Sequence, residues 1–183
     1  MSESGKLALF IDGANLYSTA RALGFDIDFK KLLAVFAERG RLLRAFYYTP
    51  MFEDQEGSST RPLIDWLSYN GHDVRTRSVR DFADQNGRRK ARSSLSIELA
   101  VNAFEIVPHV DEMVLFTGDG DFRPLVEAVP RHGIRVTIVS TIAVQPPLIG
   151  EDLRRQADAF IELADLRPKI ARDERPRPRG VDA

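Results

Sequence analysis

Leu7-Ala-Leu-Phe-Ile-Asp-Gly-Ala-Asn-Leu-Tyr17 is the stretch on which the fold turns. An apolar run of strand-forming residues stops at a carboxylate and a glycine, and a helical period takes over at once. Roughly a hundred residues later, Met113-Val-Leu-Phe-Thr-Gly-Asp-Gly-Asp-Phe122 repeats the pattern. In an open parallel α/β sheet, the loops at the carboxyl ends of the strands line a common crevice. Asp12, Asp119 and Asp121 are therefore expected to converge, although they are far apart in sequence. Clustered carboxylates repel one another, and a divalent cation relieves that repulsion. The residues alone thus point to an acidic site for Mg2+ or Mn2+ on a doubly wound fold, a site suited to phosphodiester hydrolysis.

Around these two stretches, short apolar runs alternate with longer segments of helical period, which predicts strand–helix–strand units and a mostly parallel sheet. Strands are expected at Leu7–Ile11, Arg41–Tyr48, His72–Val79, Met113–Phe116 and Arg135–Val139. Helices are expected at Leu16–Leu23, Phe29–Arg39, Arg61–Asn70, Ile97–Ile106, Phe122–His132 and Ile149–Ala157, with Ala159–Leu163 as a short edge strand. Gly40, Gly71 and Gly133 stand where helix C-terminal glycines belong, each just before a strand.

The chain has 183 residues, 43% of them hydrophobic, enough for one domain with a real core. The expected boundaries are an N-terminal segment at 1–6, the domain at 7–165, and an Arg/Pro-rich tail at 166–183 whose composition predicts disorder. Cysteine is absent, which removes disulfides, thiolate catalysis and Cys-ligated metals and fits a reducing, cytoplasmic setting. Neither a secretory signal nor an apolar run of membrane-spanning length is evident. At a net charge of -1 the chain is no bulk polyanion binder, so nucleic-acid binding has to come from local patches. One such patch is Arg75–Arg92, with seven Arg or Lys residues against Asp81 and Asp84. Within it, Arg88, Arg89, Lys90 and Arg92 would neutralise a phosphate backbone with little sequence readout.

Each acid also has a structural role to be weighed. Asp12 would sit at a strand tip, with Gly13 leaving backbone room for a phosphate or a water, while Asn15 is the better placed cap for a helix starting at Leu16. Asp121 immediately precedes a helical run and would serve as its N-cap; Asp119 has no such role in view. His72, His109 and His132 form no spaced ligand set with an acidic pair and read as packing or surface residues. No Gly-x-Ser-x-Gly, dinucleotide loop or phosphate-binding loop occurs.

With the strand-end Asp-Gly-x-Asn-Leu and the later Thr-Gly-Asp-Gly-Asp-Phe in place, the chain resembles the NYN domain family, particularly its LabA-like (DUF88) branch, relatives of PIN-domain nucleases. The resemblance runs from about Leu7 to Ala164. It implies a PIN-like three-layer sandwich around a five-stranded sheet of order 3-2-1-4-5, and a divalent-metal ribonuclease acting on single-stranded RNA. The matching site residues are Asp12, Asn15, Asp119 and Asp121, with Thr117 at the hydroxyl position.

One part of the family pattern is missing. Members carry Asp-Val-x-Leu-Ala-x-Asp opening a helix between the two motifs; here the stretch reads Ser96-Ile-Glu-Leu-Ala-Val-Asn102. Ser96 replaces an acid of the metal site, and a neutral hydroxyl ligand lowers metal affinity. Glu98 is a substitute in composition, yet two residues along a helix turn the side chain by about 200°. The alternative to an active nuclease is accordingly a degenerate RNA-binding or regulatory protein. A phosphatase or Toprim-like site is disfavoured, because Ile11-Asp-Gly-Ala-Asn15 supplies neither Asp-x-Asp nor a strand-end Glu. Homodimerisation suits a domain of this size, but no apolar stripe in the sequence marks an interface.

Overall fold

The computed structural model describes residues 5–52, 60–79, 82–83, 89–90 and 95–173. Six strands form one sheet in the order β3-β2-β1-β6-β7-β8. They are β1 (Lys6–Asp12), β2 (Arg41–Phe52), β3 (His72–Val79), β6 (Glu112–Phe116), β7 (Arg135–Ser140) and β8 (Ala159–Glu162). All five pairings are parallel. The order expected from the resemblance is thus extended by a sixth strand, the edge segment at Ala159, which is in register with Thr137–Ser140. A separate two-stranded ribbon pairs β4 (Phe82–Ala83) with β5 (Arg89–Lys90).

Strand alternation divides the core into two layers. Ala8, Phe10, Phe46, Tyr48, Met113, Leu115, Val136 and Ile138 face one side, where α4 (Ser96–Ile106), α5 (Arg123–Ala128) and α6 (Glu151–Gln156) cover them. Leu7, Leu9, Ile11, Ala45, Tyr47, Val114, Phe116 and Val139 face the other, packed by α1 (Gly13–Ala22), α2 (Phe29–Ala37), α3 (Thr60–Tyr69) and α7 (Leu163–Ile170). β1 is central, and five of its seven residues are buried.

Three sequence expectations change. The helix expected at Phe122–His132 is α-helical only over α5, with 3-10 turns at Gly120–Phe122 and Val129–His132, because Pro130 cannot donate to a preceding carbonyl. The described chain continues, packed, past the expected boundary at 165. Helix α7 carries Ile170 into the core at 0% exposure, and the chain beyond it is tied down by Asp28 N–H to the Ile170 carbonyl at 2.8 Å, an Ile27–Ala171 bridge and a Lys31–Asp173 ion pair at 2.8 Å. The Arg/Pro composition concealed this, since the two apolar residues that anchor it, Leu163 and Ile170, lie seven positions apart amid charged neighbours. The part of the expected tail beyond 173 lies outside the described residues. Thirdly, α4 exposes an apolar stripe that the sequence reading did not identify: Ile97 is 80% exposed, Val101 54% and Phe104 41%. Their i, i+4, i+7 spacing reads equally well as a core-facing face.

The tail correction is testable. Ile170→Ala should cost about 2–5 kcal/mol in urea-induced unfolding, as truncation of a fully buried aliphatic side chain does. An unchanged midpoint would show that Ile170 adds nothing to the stability of the domain.

Candidate active site

Both sequence motifs meet at the carboxyl end of the sheet, because β1 and β6 are neighbours in register, Leu7 with Glu112 through Ile11 with Phe116. The first turn of α1 starts three residues earlier than expected. Asp12, not Asn15, is its N-cap: one carboxylate oxygen accepts the Asn15 main-chain N–H at 3.2 Å. This frees the Asn15 side chain, whose carbonyl oxygen accepts the Gly118 N–H at 3.0 Å and so clamps the second motif to the first.

Thr117 joins the two acids. Its buried hydroxyl donates to the other Asp12 oxygen at 3.2 Å and accepts the Asp119 N–H at 3.2 Å. Asp119 in turn caps the Gly120–Phe122 turn, accepting the Asp121 N–H at 3.0 Å. The capping role expected of Asp121 therefore belongs to Asp119. Asp121 is exposed at the rim, and its main chain is what the network uses. Asp12, Asn15, Thr117 and Asp119 are thus brought together directly.

Burial pushes the Asp12 carboxyl above its ordinary value; the Asp119 charge adds to the rise, and the hydrogen bonds from Asn15 and Thr117 oppose it. Among the described residues neither Asp12 nor Asp119 forms an ion pair with Lys or Arg. The Tyr47 phenol beside them is pushed up to about 12 by burial and by the Asp12 charge, so it stays neutral.

Gly13 was expected to leave room for a ligand; the structure fills that space with Tyr47. A Cβ at residue 13 would meet the Tyr47 ring at 2.6 Å, so glycine is required for packing. Gly118 is as constrained, since a Cβ there would fall on the Leu148 carbonyl oxygen. Gly120 has open space beside it and borders a cavity of about 420 Å³ lined also by Arg123, Gly150, Glu151, Asp152 and Leu153. Tyr47, Leu148 and the α6 wall carried no sequence signal, because each reaches the site only through long-range packing.

The remaining candidates are placed as follows. Helix α4 feeds the parallel strand β6, so its Ser96 end lies toward the carboxyl ends of the strands, where a family acid is expected. Ser96 is half-buried at the first helical position. Glu98 lies 4.0 Å from Arg77 of β3, and Asn102 donates to the Tyr48 hydroxyl at 3.1 Å. Both face β2 and β3. Arg88 and Arg92 lie outside the described residues, as do the side chains of Arg89 and Lys90 in β5.

No set of three or more His, Asp or Glu side chains among the described residues is arranged to hold a metal. What the site offers a cation is two carboxylates and a neighbouring hydroxyl, all hard oxygen donors. Such a set fits Mg2+ or Mn2+ better than softer metals, since Mg2+ is commonly held by one or two carboxylates and completed by water and substrate phosphate.

A strand-tip acidic network on a parallel sheet of this order defines a PIN-like domain, and a sequence model of the NYN domain matches residues 6–164. The chain belongs to the NYN domain family, whose members are typically nucleases. It is 36% identical over 177 residues, 94% of this chain and 91% of the relative, to the Low amplitude and bright protein LabA of Synechococcus elongatus. A crystal structure of a protein of unknown function from Vibrio parahaemolyticus shares the fold at a TM-score of 0.71, with 24% identity, covering 89% of this chain and 95% of that one.

The elevated Asp12 pKa has a sign that can be checked. A carboxyl with a folded-state pKa above its unfolded value costs stability once pH rises past the unfolded value of 3.8, and the full cost applies at neutral pH. Asp12→Asn keeps a capping side chain. It should raise the melting temperature at pH 7 and lose that advantage below about pH 3.8. A lower melting temperature at pH 7 would show that the hydrogen bonds to the carboxylate outweigh the cost of its burial.

Proposed function

We propose that this protein is a divalent-metal-dependent ribonuclease acting on single-stranded RNA, with Asp12 and Asp119 as the carboxylates that hold Mg2+ or Mn2+. The observation that carries this reading is the half-buried Asp12 carboxyl, joined through one hydroxyl to the turn bearing Asp119 and ion-paired with no Lys or Arg among the described residues. A structural cap has no need of that burial; a cation site gains from it.

When bound, the cation supplies positive charge to the phosphoryl oxygens and lowers the pKa of water. The chain's own residues do the positioning. Thr117 fixes the rotamer of Asp12. Asn15, with its carbonyl engaged by Gly118, keeps its amide N–H groups to donate to a phosphate oxygen. Asp121, exposed beside them, would add a further carboxylate toward the cation. The cavity beside Gly120 gives a nucleotide next to the scissile bond a place to lie, with Arg123 at its wall. The proposed setting is the cytoplasm; no helix among the described residues is long and apolar enough to cross a membrane.

A second reading, RNA binding without hydrolysis, is favoured by the engagement of Glu98 with Arg77, which leaves Ser96 at the family's acid position. Cleavage of labelled single-stranded RNA in Mn2+ separates the two. Wild type should cut, and Asp119→Asn should lose at least about 100-fold, since even residues that only orient metal ligands cost 10–100-fold. Silence from wild type with cleavage by Ser96→Asp would establish the degenerate reading, and silence from both would remove the hydrolase reading.

A further inference from the structure

At the opposite end of the sheet from the carboxylates, Lys6, Arg41, Leu43, Arg44, Ile106 and His109 line a cavity of about 380 Å³. Lys6 and Arg41 are register partners at the amino ends of β1 and β2. Among the described residues, none of Lys6, Arg41 and Arg44 forms an ion pair with a carboxylate. The nearby acids are already engaged: Asp111 accepts the Lys6 main-chain N–H at 2.7 Å, and Glu112 takes Arg39 at 3.1 Å and the Thr137 hydroxyl. The Arg44 guanidinium is held by the Leu43 carbonyl at 2.9 Å. No acidic side chain lines the cavity.

We infer that this basic cavity is a second RNA contact, binding backbone phosphates of a strand whose scissile bond lies at the carboxylate end; the inference rests on the RNA reading above. Three like charges around one hollow repel unless an anion joins them, and a chain of net charge -1 has carboxylates in supply that it does not place there. At the carboxylate end, Arg123 is taken by Glu127 at 2.9 Å and Asp152 at 3.9 Å, Arg77 by Glu98 at 4.0 Å and Arg75 by Asp73 at 2.9 Å. Those cations have partners, so among the described residues phosphate neutralisation is better supplied from Lys6, Arg41 and Arg44. Leu43 and Ile106 add an apolar wall against which a base can lie. The two ends are separated by the length of β1, roughly 20 Å at 3.3 Å per residue. A polynucleotide spans that distance; a mononucleotide does not.

The test is fluorescence anisotropy with full-length protein, a labelled oligouridine of about twenty nucleotides, and chelator to prevent cleavage, between about 50 and 200 mM salt. Arg41→Glu with Arg44→Glu should weaken binding by about tenfold or more and lower the salt slope by roughly 1.4, the value for two lost contacts to a single strand. Lys30→Glu with Lys169→Glu, an equal change in net charge at exposed positions elsewhere, should have much less effect. Arg41→Gln with Arg44→Gln, checked for an unchanged melting temperature, covers the case in which the reversed charges impair folding. Wild-type binding that is unaltered in both arginine variants would overturn the second contact and leave the nuclease reading standing. No binding by wild type would overturn the RNA reading and this one with it. Uridine monophosphate binding as tightly as the oligomer, with the same dependence on Arg41 and Arg44, would overturn the strand-tracking reading in favour of a nucleotide pocket.

Discussion

A half-buried carboxylate at the tip of the central strand is the constraint around which this end of the molecule is organised. Asp12 ends β1, where neighbours on both sides and helices on both faces limit its access to solvent. Its two oxygens are satisfied by different elements, one by the start of α1 and the other by Thr117 at the end of β6. The same two contacts fix where α1 begins and where the second motif lies. Electrostatically the arrangement is unfavourable: burial disfavours the charge, and the Asp119 charge adds to the cost. Local strain of this kind persists when the surrounding fold over-determines it, and it concentrates where chemistry is done.

The fold imposes that geometry through packing at two glycines. Tyr47 lies against Gly13 and the Leu148 carbonyl against Gly118, so each motif is pressed from behind by a residue with no place in the motif itself. Asn15 completes the clamp by bonding across to Gly118. The result is a site whose polar atoms are paired on the protein side while carboxylate oxygens and the Asn15 amide remain for a ligand. One expected part is missing: at the α4 position where the resemblance implies an acid stands Ser96, and Glu98 on that helix lies 4.0 Å from Arg77.

Much of this was legible in sequence. The Leu7–Asp12 run, its counterpart at Met113–Phe116 and the glycines before β3 and β7 define a parallel sheet, and Gly71 and Gly133 adopt the left-handed backbone expected of them, at φ 91° and 78°. Pairing the two motifs was also within reach, because strands that end in carboxylates have one crevice to share. The division of labour among those carboxylates was not. Asp12 and Asn15 are both good caps by propensity, and so are Asp119 and Asp121; which one caps depends on main-chain positions that are set when β1 and β6 pair. Helix α7 was missed for a different reason, as its burial rests on Leu163 and Ile170 docking against α2, a contact that composition does not reveal. The basic cavity was hidden because Lys6, Arg41 and Arg44 come from two strands and their register alone brings them together.

The central claim is that Asp12 and Asp119 form a cation site. Mn2+ binding followed by electron paramagnetic resonance at neutral pH tests it without reference to any substrate. The account predicts that wild type removes Mn2+ from the free signal in a saturable way, and that Asp12→Asn and Asp119→Asn each abolish the effect while remaining folded. A wild-type protein that leaves the Mn2+ spectrum unchanged, or binding that survives both substitutions, would contradict it.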